Sequence, residues 1–113
     1  MAYKLAISNI ILTKVKGTYT DEAGSTKTFD FQLEQDRIDQ DGLKRTLTDK
    51  TEDAVEFLKR ITKGWRGQRL VLNDDGTPAD FCPEAFDCLL NVSGMGGYCF
   101  QAYLDQVLVK QKN

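Results

Sequence analysis

The sequence predicts an α+β domain: an antiparallel β-hairpin sheet from the first third, packed against three to four C-terminal α-helices from the rest. Three patterns carry that expectation. Apolar residues alternate with period two over residues 3–19 and 27–37, the spacing of one sheet face. Ala54, Phe57, Leu58, Ile61 and Trp65 recur at helical spacing and form one apolar stripe. Pro83 and Glu84, followed by Phe86, Leu89 and Leu90, read as a helix head and its inward face. The 113 residues fit a single domain over 1–113, with the hairpin in 1–38 and a mainly helical part in 39–113.

In order along the chain, Tyr3 to Tyr19 reads as one long strand with Leu5, Ile7, Ile11, Val15 and Tyr19 on one face. Asp21 to Ser25 is a polar connection containing Gly24. Phe29, Phe31 and Leu33 line one side of the second strand. Pairing Tyr19 near Phe29 keeps both apolar sets together, because an even register preserves the face. Leu43 to Leu47 fits a short helix or a third strand. Asp49 with Glu52 can form a capping box for the next helix. Gly64 is its natural left-handed stop, with Trp65 folding back onto the stripe. Leu70 to Leu72 reads as a short buried strand or link, and Asn73 to Gly76 as a turn. Asn91 to Gly97 interrupts the helix headed by Pro83, and a last helix runs from about Tyr98 to Gln111. Phe31, Leu58, Trp65 and Leu89 are expected in the core.

The composition argues against catalysis. The chain has no His, which removes Ser–His and Cys–His nucleophile pairs, His bases and most zinc sites. Cys82, Cys88 and Cys99 are odd in number and spaced by six and eleven residues, which matches neither a closed disulfide framework nor a zinc knuckle. Cys88 and Cys99 are read as small core residues. No metal, cofactor or disulfide is expected. Asn73–Thr77 lacks the distal Glu of a calcium loop. Gly94-x-Gly96-Gly97 lacks the strand and the Lys of a phosphate loop. A formal charge of −2 implies no bulk polyanion affinity. No apolar run approaches the ~18 residues of a membrane span, and no signal peptide is evident.

Charge order is the more informative signal. Lys59, Arg60, Lys63, Arg66 and Arg69 are followed by Asp74, Asp75, Asp80, Glu84 and Asp87 with no sign mixing. Dipole matching explains much of it, since cations end one helix and acids begin another. A two-signed surface is the functional reading, with Lys59, Lys63, Arg66 and Arg69 facing Asp74 and Asp75 of a partner or of a second copy. Self-association of that kind weakens with salt. Only Trp65 is available to stack on bases within the basic run, and the acids oppose phosphate, so nucleic acid is not expected. In the last helix Phe100, Tyr103, Leu104 and Val107 make a core stripe. Tyr98, Ala102 and Val109 fall on another side and are candidate partner contacts.

Several segments together resemble the small tail assembly chaperones of long-tailed, siphovirus-like bacteriophages. These are FDFQLEQDRI at 29–38, the Phe57-Leu58 to Trp65 helix end, Asp75-Gly76-x-Pro78, Phe81, Glu84-Ala85, Leu89-Leu90 and Ala102-Tyr103-Leu104. Where that family often caps the third helix with Ser, this chain has Cys82, a weaker acceptor. The resemblance implies a protein of the host bacterial cytoplasm, absent from the mature virion. It would bind the tape-measure protein and keep its apolar helices soluble during tail morphogenesis. It implies no catalytic residue. The alternative is a small phage regulator or inhibitor that binds a host nucleoprotein through its acidic face.

Overall fold

A computed structural model describes residues 3–48 and 51–110. The chain is an α+β fold with element order β1 (Ile10–Thr20), β2 (Thr26–Asp36), α1 (Gln40–Thr48), α2 (Ala54–Ile61), β3 (Thr62–Arg66), α3 (Pro83–Leu90) and α4 (Met95–Val107). The antiparallel sheet has the order β1-β2-β3. Val15, Phe31 and Leu33 on one face meet Phe57, Leu58, Ile61, Phe86, Leu89 and Tyr103 from the helices in one core.

Tyr19 pairs with Lys27 rather than with Phe29, while Val15 opposes Phe31 and Thr13 opposes Leu33. That two-residue offset keeps parity, so the apolar sets still share a face. The strand starts at Ile10, not Tyr3, because β2 gives it no neighbour beyond that point. The Arg37 amide donates to the Asn9 carbonyl at 2.7 Å, and the chain then turns into α1. The residues before Ile10 therefore lie outside the β1–β2 ladder. Tyr103 fixes the turn-off: its hydroxyl donates to the Asp36 carbonyl at 2.6 Å and accepts from the Ile38 amide at 3.0 Å.

The undecided Leu43–Leu47 segment is helical, with the Asp39 carboxylate accepting from the Gly42 amide at 2.8 Å. No α1 residue is buried. Asp49 lies outside the described residues. The capping box of α2 is formed one turn later, by Asp53 and Glu56, and Glu52 instead pairs with Arg60 at 2.9 Å.

The third strand is the main departure from expectation. α2 stops at Ile61, and Thr62 is already extended at φ −90°. Thr62, Gly64 and Trp65 pair with Gln35, Glu34 and Leu33, with a bulge between Glu34 and Gln35. Gly64 is therefore a strand residue and not a left-handed stop. A Cβ there would lie 2.5 Å from a Glu34 carboxylate oxygen, so glycine here lets the Glu34 side chain lie across the strand, and no turn is involved. Buried Gln35 donates from Nε2 to the Thr62 hydroxyl at 2.8 Å, which locks this edge.

Leu70 and Val71 are half-buried and Leu72 is exposed, so that run is a surface link, not a buried strand. Gln68 organises it from within: its Oε1 accepts from the Leu70 and Val71 amides and its Nε2 donates to the Val71 and Ala79 carbonyls. Gly76 closes the expected turn at φ +87°. The interruption before α4 is shorter than expected. α4 begins at Met95 and ends at Val107, before Gln111, which lies outside the described residues. Gly96 sits inside the helix because a Cβ there would lie 2.8 Å from Val55 of α2. No helix among the described residues is long and apolar enough to cross a membrane.

Candidate protein-docking groove

The far half of the hairpin and the α3–α4 joint enclose an open groove of about 490 Å³. Gly17, Tyr19 and Phe29 form one wall and Val92, Met95 and Tyr98 the other. The lone glycine inside β1 makes room for it. A Cβ on Gly17 would meet the Phe29 ring at 2.6 Å and the Tyr98 hydroxyl at 3.1 Å. Tyr98 packs edge-on against Phe29, with ring centroids 6.0 Å apart, and its hydroxyl donates to the Lys16 carbonyl. Tyr19, Val92 and Tyr98 are about half exposed, large and apolar. Tyr19 belongs to a paired strand and Tyr98 to a helix seated on the core, while Val92 lies in the short joint between α3 and α4, so most of the groove wall is preformed.

Tyr98 lines this groove, but the expected strip through Tyr98, Ala102 and Val109 does not exist as one face. Ala102 is half-buried against the core. Val109 lies beyond the end of α4 and is largely exposed. The expected core stripe of α4 is also shifted. Tyr103 and Val107 are buried and Phe100 and Leu104 half-buried, while Met95 and Cys99 complete the inward row. Phe29, Tyr19, Val92 and Met95 were not foreseen as groove residues. The available signal was Gly17, since an isolated glycine within a strand marks a close approach.

The two-signed run is largely satisfied within the chain. Lys59 pairs with Asp87 at 2.6 Å, Arg60 with Glu52 at 2.9 Å, Lys63 with Asp36 at 3.4 Å and Arg66 with Glu34 at 2.7 Å. Such exposed pairs contribute at most about 1 kcal/mol each, but they neutralise the basic patch that a partner would read. Arg69 and Asp74 form no ion pair among the described residues. The Asp75 carboxylate accepts from the Thr77 amide and hydroxyl, and these bonds hold its pKa below the usual value.

Trp65 is half-buried rather than enclosed. Its indole packs on Phe81 and Phe86 and donates to the Ala79 carbonyl at 3.1 Å. Cys99 is buried, and burial pushes its thiol up to about 12. Cys88 is exposed on α3, contrary to its expected place in the core. The Cys82 thiol does cap α3, accepting from the Ala85 amide at 3.4 Å. No protein-family model, curated protein or solved structure matches the chain.

Proposed function

We propose that this chain is a binding protein that shields an apolar segment of a partner. The specific reading is a phage tail assembly chaperone acting on the tape-measure protein in the host cytoplasm. The observation that carries it is the largely preformed groove between the hairpin and the α3–α4 joint. It leaves Tyr19, Val92 and Tyr98 half exposed around one opening. Rigid aromatic and aliphatic walls of this kind suit an amphipathic helix laid in with its apolar face down. The order of the motifs from Phe29 to Leu104 supplies the identity of the partner.

The test is Tyr19→Lys combined with Val92→Asp. Both side chains are exposed, so the melting transition should move by less than about 1 kcal/mol equivalent. Co-purification with a co-expressed tape-measure protein should be lost. A folded double variant that still holds that protein in solution sinks the reading. Gly17→Ala serves as a second probe, because the added methyl displaces the Phe29 ring that walls the groove.

A further inference from the structure

We propose that residues 3–7 form an exchange arm that pairs antiparallel with the same residues of a second copy of this chain. The arm keeps the sequence signature of a strand, with Leu5 and Ile7 continuing the odd-numbered apolar face of β1. It has left the sheet only because β2 turns away into α1. The arm is nonetheless aimed. The Arg37 guanidinium donates to the Ser8 carbonyl at 3.2 Å and to the Val107 carbonyl at 3.0 Å, and the Ser8 hydroxyl accepts from the Ile10 amide. Leu5 and Ile7 consequently line a groove of about 390 Å³ with Leu43 of α1 and Val107 to Val109 beyond α4.

The chemistry of this end of the molecule selects a second copy as its occupant. A register placing Leu5 opposite Leu5 of the partner sets Lys4 opposite Ala6, so the only charge between residues 3 and 8 meets no like charge. Odd residues face one side in both arms, as that parity requires. Leu5, Ile7, Leu47, Leu108 and Val109 are 80, 52, 56, 47 and 85 % exposed. At roughly 100 Å² apiece, two copies bring on the order of 1,000 Å², the low end of the range, which suits a weak pair of two copies. The contact is isologous and closes at two copies. It lies apart from the proposed docking groove and does not depend on that reading.

Sedimentation equilibrium of the full chain is the first measurement. A dimer is expected at about 100 µM. It should persist between about 0.1 and 1 M salt, where the screening length falls from ~10 to ~3 Å. Leu5→Lys with Ile7→Lys should weaken it by about 100-fold or more with an unchanged circular dichroism spectrum. In a Cys82→Ser, Cys88→Ser background, Leu5→Cys should oxidise to a covalent dimer, since directly opposed strand residues fall within disulfide reach. Ala6→Cys should not. A wild-type monomer, a dimer indifferent to the arm substitutions, or a failure of Leu5→Cys to cross-link would each overturn the proposal. Loss of a co-expressed partner by an arm variant of a monomeric chain would assign the arm to that partner and overturn it equally.

Discussion

Tyr103 shows how much a single side chain can settle. Its ring is fully buried and packs edge-on to Phe57, while its hydroxyl serves both the Asp36 carbonyl and the Ile38 amide. Tyr103→Phe leaves both backbone groups short of a partner, and a loss of about 1–3 kcal/mol is expected in denaturant titration. The Thr13 hydroxyl is the opposite case, buried with no hydrogen-bond partner among the described residues. Thr13→Val should therefore be neutral or raise the midpoint, because an apolar group of the same shape removes an unmet demand. Trp65→Ala should cost about 3 kcal/mol, the low end for such a truncation, since the ring is half-buried. Cys99 yields a pH prediction. Burial pushes its folded pKa up to about 12, above the ordinary value of 9.0. Its contribution is therefore fully present below pH 9.0 and is lost as pH rises toward 12. Thermal melts should fall across that window, and less steeply in Cys99→Ala. Alkylation should reach Cys82 and Cys88 in the native protein and Cys99 only in denaturant. At this scale the sequence was readable where a residue's neighbours are local. Cys88 lies two residues after inward Phe86 and one before inward Leu89, about 200° and 100° round the helix, so the helix phase itself turns it outward, against the expectation from residue type alone.

Elements whose apolar period is long were legible, and those defined by a distant partner were not. The hairpin, the α2 stripe and the head of α3 all follow from spacing, and Ile11, Val15, Phe31, Leu33, Phe57, Leu58, Ile61, Phe86 and Leu89 face the core as expected, whereas Leu5, Ile7 and Tyr19 are exposed and Trp65 belongs to β3. β3 did not follow from spacing, because Thr62–Arg66 holds one Gly, two cations and only one large apolar residue. It is a strand because β2 has a second edge to fill and because Gln35 and Thr62 bond across it. The same competition ended α2 at Ile61. The α2 cap can be checked directly: Asp53→Ala should cost about 1 kcal/mol. Cys82→Ser should gain up to about 1 kcal/mol by putting a better acceptor before Pro83. α1 contributes no buried residue, so its amides should exchange early while those of β1 and β2 stay protected.

As a whole the molecule is longer than a chain of this size need be. Its extents are 57 × 35 × 26 Å and its radius of gyration is 15.8 Å, against about 13 Å for a compact domain of similar length. The excess comes from the hairpin at one end and from the arm with α1 at the other. The proposed docking groove sits against the hairpin and the proposed exchange surface at the arm, so the two proposals do not compete for one face. Little of this was legible in the chain order: Tyr98 was picked out, but on one helix face with Ala102 and Val109, which the groove does not include. The groove is built from residues 17–29 and 92–98, which meet only after the sheet has formed.

Arg37 has a consequence for timing. One guanidinium joins Ser8, at the base of the arm, to Val107, at the end of α4, spanning 29 and 70 residues of chain. Contacts of that separation close late, after the loops between them have been ordered. Under the proposed arm pairing, an arm aimed only once α4 has docked would make pairing between copies a report of completed folding. A chain whose α4 has not docked lacks the Val107 end of this anchor. Arg37→Leu should uncouple the two events. The chain should still fold and still carry an intact arm, yet light scattering should show looser, concentration-driven association in place of a defined pair.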